Sequence, residues 1–490
     1  MAKKDRHVNL LLITDNYDES ETAVRYHYVW IKNLSRLLSK QLSKEHGQKY
    51  FCTELQKHTE DCAKMKEAAI KMPEPGKDIL KFKNFKNKER APFVVYADLE
   101  SILKPTDDPK KIQHHIPAAV GYYLKCSYDD TLSFYKAYRG EDCMQWFADE
   151  LSQLAEDMTT VFWCPFDIDM TVEQEVEFRR ATHCHICGKP FTPEDKNICD
   201  HNHLIPCDNY RGPAHEGCNI NYKDSHSIPV VFHNFSGYDA HFIVGDIATR
   251  MAGKVDLLPI TKEKYISFTK HVDDAPIQFR FIDSIRFMAS SLDKLTSYLP
   301  EFPNLKSQFA DVPMQHFKLL RKKGVMPYDY IDSFSLFDEP ALPSQDKFYN
   351  KLENKLCPRR FYQRAQDVWT TFNCQNLGDY VDLYMKTDIL LLADVFEMFR
   401  TCILNSHKLD PTHYFTLPGY TWDAMLKYTG IKLELLTDVD MFLFVERGIR
   451  GGLSQVCSKR RSHANNKYIN NYDPSKPTTT MMSTISMCGQ

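Results

Sequence analysis

Apolar residues along the chain form patterns that predict an α/β domain with a mixed sheet. Residues 92–97 and 228–232 are apolar runs of the length that buried strands have. Residues 141–158 read as a helix with Cys143, Phe147, Leu151 and Leu154 on one face, which we expect to pack on the sheet. Residues 380–399 carry Leu, Val and Met at helical spacing and predict a core helix.

Carboxylates interrupt these apolar elements. Asp98 and Glu100 end the first strand pattern, and residues two apart on a strand share a face. Asp239 follows the second strand, and Asp388 lies on the apolar helix. A buried carboxylate is costly unless it is paired or binds a metal. Together the four residues have the composition of a two-metal phosphodiester hydrolase.

Three polar or aromatic residues accompany these carboxylates. Tyr384 precedes Asp388 by four residues, so the two share a helix face, and Tyr384 is expected to orient the attacking water. Asn234 and Tyr238 are expected to hold and stack the terminal nucleotide.

A second kind of metal chemistry lies between the two strand patterns. Cysteine and histidine ligands at zinc spacing form a C-x-x-C and an H-x-x-C pair: Cys184, Cys187, His215 and Cys218. Cys199 and Cys207 leave an alternative ligand set open. The same stretch holds groups suited to a catalytic divalent ion and a general base, which are Asp200, His201, His203 and Asn219.

Composition limits the possible compartments and partners. The chain has 490 residues, 43% of them hydrophobic, and lacks a run of eighteen apolar residues, so we expect an intracellular protein, nuclear or cytoplasmic, without a membrane span. The 15 cysteines are spread along the chain, which favours thiols and metal over disulfides. With a net charge of −3, a nucleic-acid partner has to be held by local basic patches.

The carboxylate motifs resemble those of a known family. Asp98-Leu-Glu100, Asn234-x-x-x-Tyr238-Asp239 and Tyr384-x-x-x-Asp388 resemble the 3'-5' exonuclease motifs of protein-primed family B DNA polymerases, found in viruses, linear plasmids and Maverick/Polinton-type elements. Residues 449–452, Ile-Arg-Gly-Gly, are similar to the Y-x-G-G/A segment that joins exonuclease to polymerase. This similarity implies that Arg450, Gly451 and Gly452 contact DNA. The family implies Mg²⁺ or Mn²⁺, single-stranded 3' ends and a terminal priming protein.

The Cys/His stretch resembles another family, the recombination endonuclease VII type of ββα-metal nuclease. That resemblance implies a structural Zn²⁺ on the four spaced ligands, with His215 standing where the phage-type pattern has cysteine. It also implies that Asp200 and Asn219 hold a catalytic cation, that His201 is the general base and that His203 contacts the scissile phosphate or supports the site. Branched DNA is the substrate it suggests.

The expected fold is therefore a ribonuclease-H-like exonuclease domain, residues 91–181 and 225–402, interrupted by a ββα zinc module at 182–224. Residues 1–90 are expected to form a leader with a degenerate finger (Cys52, His58, Cys62) and a basic linker at 77–90, in which Phe82 and Phe85 stack bases unless the linker is merely solvated. Residues 403–490 are expected to be a helical connector that reaches the start of the polymerase region.

Three functions remain open at this point. The chain is expected to be a DNA exonuclease that does not polymerise DNA, because it ends where the family's palm domain begins. The alternatives are a catalytically inactive DNA-binding or scaffold protein derived from a mobile element, and a nuclease in which only the insertion cuts DNA.

Overall fold

The computed structural model describes residues 9–15, 25–31, 72–106, 113–222, 226–260, 264–273, 275–352 and 354–448, with short pieces between 465 and 478. Compact units are formed by Met1–Asp78 with Glu434–Cys488 and by Ile79–Leu433. The predicted finger residues and Arg450, Gly451 and Gly452 lie outside the described residues.

The strands are β1 Asn9–Asp15, β2 Arg25–Ile31, β3 Ile79–Leu80, β4 Phe93–Pro105, β5 Gln113–Cys126, β6 Phe134–Arg139, β7 Asn197–His201, β8 Tyr210–His215, β9 Ser227–Phe232, β10 Val255–Pro259, β11 Tyr265–His271, β12 Gln278–Asp283, β13 Tyr349–Asn350, β14 Lys355–Leu356 and β15 Leu433–Glu434. The helices are α1 Cys143–Trp163, α2 Val172–Arg180, α3 Glu216–Asn221, α4 Ala240–Arg250, α5 Leu292–Thr296, α6 Pro303–Gln308, α7 Met314–Leu320, α8 Arg359–Thr371, α9 Leu377–His407, α10 Leu417–Thr429 and α11 Val439–Gly448. Within the first unit, β1 pairs antiparallel with β2.

A seven-stranded mixed sheet organises the second unit. Its order is β10-β11-β12-β9-β4-β5-β6. β4 pairs antiparallel with β5 and parallel with β9, and β9 pairs parallel with β12. The predicted mixed sheet is confirmed, and β4 and β9 lie side by side at its centre.

Helices cover both faces of this sheet because the central strands are apolar on both sides. From β4, Val95 belongs to the core that contains α1 and α4, whereas Tyr96 belongs to the core that contains α9. The predicted face of α1 is buried. α9 is longer at both ends than the prediction. It begins after Asn376, whose side chain accepts from the Asp379 N–H, and ends at His407, which is followed by Lys408 with the positive φ of a helix C-cap.

The prediction that the first strand ends at its two carboxylates is wrong. β4 continues for five residues beyond Glu100, to Pro105, because residues 101–105 keep pairing with β5. A bulge interrupts the pairing at this point: Glu100 lies opposite Ala119 and Ser101 opposite Pro117, so Ala118 has no partner. Asp98 and Glu100 therefore lie in the middle of a strand.

A buried ionic network joins the start of β4 to α9. Arg400 is 1% exposed, and its guanidinium donates to Glu397, to both carboxylate oxygens of Asp410 and to the Ala91 carbonyl. Glu397 also accepts from the Tyr96 hydroxyl. Hydrogen bonds on every side let these charges remain inside the fold.

Among the helices that the structure describes, none has both the length and the apolar character required to cross a membrane.

Candidate active site

Carboxylates from β4 and from the turn after β9 line one cavity. Asp98, Glu100 and Asp239 all face this space of about 330 Å³. Glu100 is 6% exposed and Asp239 is 4% exposed. The parallel pairing of β4 with β9 brings them together, since it places the two strand segments side by side. We call this space the carboxylate cavity.

Asp388 reaches the carboxylate cavity through a lysine. It is 1% exposed on α9, and its Oδ2 forms an ion pair with the ammonium of Lys323, which lines the cavity. Burial lowers the pKa of Lys323, but the Asp388 carboxylate outweighs this effect, and the net pKa lies well above the usual range. Lys323 therefore stays charged and partly neutralises the acidic cluster.

The remaining carboxyl groups are held in a state that favours protonation. Burial raises the pKa of Asp98 to about 7, and the charge of Asp388 adds to this while that of Lys323 opposes it. Burial also raises the pKa of Glu100 and of Asp239 well above the usual range, and the Asp98 charge contributes to both shifts. Like charges that repel one another in a buried space are typical of a cation site.

The donors fit divalent cations in type, although they do not form a closed cage. In the described part of the chain, no three of these carboxylates have oxygen atoms all within 4.8 Å of one another. Asp388 Oδ1 is buried without a described hydrogen-bond partner. A buried carboxylate oxygen without a described partner, on a residue whose charge acts on Asp98 and Glu100, fits an oxygen-ligated ion such as Mg²⁺ or Mn²⁺.

Tyr384 lies one helical turn before Asp388, as predicted. Its hydroxyl is 2.8 Å from the Tyr328 hydroxyl, and its ring centroid is 5.4 Å from the Lys323 ammonium. A Cβ atom at Gly324 would lie 2.8 Å from the Tyr384 ring, so only glycine permits this close approach. Burial raises the pKa of Tyr384 well above its usual value, and the Asp388 charge adds to the shift. Tyr384 is therefore a neutral hydrogen-bonding group that contacts the cavity through Tyr328, which lines it, whereas Tyr384 is not among the described lining residues.

Asp283 holds the turn that carries Asn234, Tyr238 and Asp239. It is fully buried at the end of β12, and its carboxylate accepts from the N–H of Asn234 at 2.9 Å and of Ser236 at 3.0 Å. Asn234 has φ 70°, a conformation that asparagine tolerates better than most residues. The Tyr238 hydroxyl lies 2.7 Å from His115 Nδ1 across the cavity. Asn234 and Tyr238 both line the cavity, at its wall.

The four predicted zinc ligands come together. The ligand atoms of Cys184, Cys187, His215 and Cys218 all lie within 4.8 Å of one another, and His215 Nδ1 is 3.6 Å from Cys187 Sγ. His215 Nε2 is 3.5 Å from Asp195, which orients the ring. Three sulfurs and one nitrogen fit a tetrahedral zinc site. Among the residues that the structure describes, Cys199 and Cys207 do not belong to this group.

A ββα unit surrounds the Cys/His group. β7 pairs antiparallel with β8, and α3 follows β8 directly. Asp200 is 4% exposed on β7, and its Oδ2 lies 2.9 Å from His185 Nε2 without hydrogen-bond geometry. The rings of His201 and His203 lie 4.3 Å apart, edge to face. Asn219 lies on α3, next to Cys218.

The basic linker is folded, so base stacking by its phenylalanines is contradicted. Phe82 and Phe85 pack edge to face at 4.9 Å, and each also packs against a buried core. Lys88 donates to the carbonyls of His185 and Ile186 inside the C-x-x-C loop. The linker therefore anchors the C-x-x-C loop.

Sequence reasoning missed Lys323, Tyr328 and His115. Lys323 belongs to Arg321-Lys-Lys323, a run that reads as solvated charge, and no periodicity marks it. Asp283 could have been found, because it ends an apolar strand as Asp98 was thought to do.

Comparison with known families decides the affiliation of the chain. Residues 219–473, just over half of its length, match the family described as DNA polymerase type B, organellar and viral. The chain belongs to this family of type B DNA polymerases. The matched residues include Asp239, Tyr384 and Asp388, whereas Asp98 and Glu100 precede them.

A solved structure of Phi29 DNA polymerase complexed with primer-template DNA and incoming nucleotide substrates is similar over 75% of this chain, with 13% sequence identity and a TM-score of 0.31. The chain spans 41% of the length of that polymerase. A comparison with curated proteins gives no match.

Proposed function

We propose that this chain is a divalent-metal-dependent 3'-5' exonuclease that acts on single-stranded DNA ends. The observation that carries the proposal is the convergence of Asp98, Glu100 and Asp239 on one cavity, with Asp388 joined to it through Lys323. Membership of a DNA polymerase family supports DNA as the substrate.

The order of the sheet supports a ribonuclease-H-like domain. Five of its strands run β6-β5-β4-β9-β12, with β4, β5 and β6 antiparallel and β9 and β12 parallel to β4. The carboxylates lie on the central strand and just beyond its parallel neighbour, where a cleft forms next to helix α9.

Each residue has a role that follows from its place. Asp98, Glu100, Asp239 and Asp388 would hold two divalent ions, which stabilise the attacking and leaving oxygens of a phosphodiester when bound. Tyr384 orients the attacking water through its hydroxyl. Asn234 and Tyr238, at the wall of the cavity, hold the terminal nucleotide. Lys323 keeps its positive charge beside the carboxylates and is placed to contact a phosphate oxygen.

Replacement of Tyr384 by phenylalanine tests this proposal. We expect the purified chain to shorten 5'-labelled single-stranded DNA from its 3' end only with Mg²⁺ or Mn²⁺. Tyr384→Phe should lower kcat by about 10²-fold, in the range of a lost acid-base or positioning group, with little change in KM. Gel analysis of product lengths under saturating substrate gives both constants.

Tyr420→Phe is the matched control. Tyr420 is buried, as Tyr384 is, and the substitution removes one hydroxyl contact, to His407, at a site away from the cavity. DNA binding without metal-dependent shortening would contradict the exonuclease proposal and favour the inactive scaffold function.

The ββα unit supports a second activity, an endonuclease acting on branched DNA. Asp200 has a buried oxygen without a described hydrogen-bond partner, next to His201 on the same strand. This donor set fits a cation with an adjacent general base, and we assign Asp200 and Asn219 to the cation, His201 to the base and His203 to the phosphate.

Two variants of the ββα unit should distinguish the proposed structural role of zinc from the proposed cleavage of branched DNA. Cys187→Ser should lose most of the bound zinc and unfold residues 182–224, because one of four ligands is gone. His201→Ala should keep zinc at one ion per chain but cut branched DNA at least about 10²-fold more slowly. Metal analysis and cleavage of a branched substrate are the two measurements. Equal cutting by His201→Ala and the unaltered chain would exclude this histidine as the base.

Further expectations concern the whole protein. A terminal priming protein as partner and a nuclear or cytoplasmic location belong to the same proposal. The expected lack of polymerase activity stays a prediction that a templated nucleotide-addition assay tests.

A further inference from the structure

A second cavity on the same unit is rich in unpaired cations. It has a volume of about 730 Å³ and lies between the ends of α5, α7 and α8. Its lining combines five cations with Thr296, Ser297, Phe302 and Phe361; the cations are Lys318, Arg321, Lys322, Arg360 and Arg364. Asp293 is the one acid among these lining residues. We call this cavity the cationic groove.

The charge of the cationic groove is free to act on a ligand. Over the described ranges, Lys318, Arg321, Lys322 and Arg360 form no ion pair, whereas Arg139, Arg250 and Arg400 each pair with a carboxylate. The whole chain has a net charge of −3, so this local excess is not a general property of its surface. An uncompensated cluster of this kind attracts a polyanion.

Aromatic rings fix two of the arginines. The guanidinium carbon of Arg321 is 4.8 Å from the Phe302 ring centroid, and that of Arg360 is 4.6 Å from the Phe361 centroid. A guanidinium stacked on a ring keeps its N–H groups available at the edge, where they match the oxygens of a phosphate. The two arginines are therefore prearranged for phosphodiester groups.

Arg364 connects the cationic groove to the carboxylate cavity. Its guanidinium donates to the carbonyls of Leu319 at 2.7 Å and Lys323 at 2.9 Å, and so fixes the segment after α7. Lys322 lines the groove and Lys323 lines the carboxylate cavity. These neighbours have Cα atoms about 3.8 Å apart, so one rigid segment separates the two spaces.

We propose that the cationic groove binds the phosphate backbone of single-stranded DNA outside the carboxylate cavity. This inference rests on the proposed exonuclease function, since a strand whose 3' end occupies the carboxylate cavity must continue over the adjacent surface. Several separated cations along one groove suit the repeated phosphates of a flexible strand better than a single nucleotide.

The test is the salt dependence of binding to strands of about 4 and about 16 nucleotides, the range of known single-strand sites. The triple variant Lys318→Gln, Arg321→Gln, Arg360→Gln should bind the longer strand at least about tenfold more weakly. If each cation contacts one phosphate, the slope of log K against log salt should become shallower by about 2. Fluorescence anisotropy without added divalent metal measures both, and thermal unfolding checks the fold.

The matched control removes three exposed cations elsewhere, Lys136, Arg250 and Lys254, each replaced by glutamine. An equal loss in this control, or an unchanged slope in the groove variant, would overturn the proposal. Binding of polyglutamate in place of DNA, with the same dependence on the groove, would assign the surface to an acidic protein and also overturn it. Groove-dependent DNA binding without digestion would reject the exonuclease function alone, whereas digestion with groove-independent binding would reject the groove alone.

Discussion

Asp98→Asn is expected to abolish the proposed exonuclease activity while making the metal-free protein more stable. The rate of 3'-5' digestion should fall at least about 10³-fold, equivalent to about 4 kcal/mol of transition-state stabilisation, because one ligand of the proposed ions is lost. The free energy of unfolding should rise by about 2–4 kcal/mol above pH 7, because burial and the Asp388 charge raise the pKa of Asp98 to about 7.

The sign of the pH dependence distinguishes this explanation from a simple change in packing. A carboxyl group whose pKa is raised in the folded state destabilises the fold as it loses its proton. This loss of stability grows as pH rises from the pKa of the unfolded chain to the folded pKa of about 7. The gain from asparagine should therefore shrink as pH falls toward 4. Differential scanning calorimetry at several pH values measures this difference in stability. Repeating it with Mg²⁺ adds a second check, because Mg²⁺ should stabilise the unaltered chain more than the variant. A variant less stable than the parent at pH 8 would contradict the repulsion described for the carboxylate cavity.

Arg400→Met is expected to be the most destabilising single change. It leaves the Glu397 and Asp410 carboxylates inside the fold without their main cation, which costs about 3–5 kcal/mol. Burial would raise the pKa of Asp410, but Arg400 outweighs it and holds the pKa well below the usual range. A carboxyl group with a lowered pKa in the folded state stabilises the fold at pH values above its pKa in the unfolded chain, which is about 4. That stability is lost as pH falls below about 4.

The difference between parent and Arg400→Met should therefore be largest near neutral pH and should narrow toward pH 4, where the stranded carboxyls of the variant take up protons. Urea unfolding at several pH values measures it. Adding Glu397→Gln and Asp410→Asn to Arg400→Met should restore part of the loss. A triple variant no more stable than the single one would mean that lost packing, and not stranded charge, explains the cost.

The sequence predicted the elements whose periodicity is strong. Helix α1 with its buried face, strand β9 and helix α9 were found, because apolar spacing follows directly from which side of an element is covered. The grouping of Cys184, Cys187, His215 and Cys218 was predicted because a tetrahedral site limits the spacing of its cysteines and histidines.

Contacts between residues far apart in the sequence could not be predicted from local apolar spacing. The length of β4 depends on β5, which supplies backbone partners for residues 101–105 beyond the two carboxylates. Lys323 reaches Asp388 from a segment that Arg364 fixes, a contact between residues 65 apart that leaves no local pattern. The packing of Phe82 and Phe85 also depends on cores formed by distant residues. From the sequence of the basic linker alone, these rings were therefore predicted to stack on nucleic-acid bases.

The bulge in the β4–β5 pair divides the cavity-lining residues of the two strands into two groups. Asp98 and Glu100 lie before the unpaired Ala118, whereas Leu103 and its partner His115 lie beyond it and still line the cavity. An extra residue bends a strand pair locally and leaves the regular ladder on either side intact. A change at this bulge is therefore expected to move the wall residues beyond it, Leu103 and His115, more than Asp98 and Glu100, which keep their own pairing with β5. The bulge thus separates the carboxylates from the rest of the cavity wall on the same two strands.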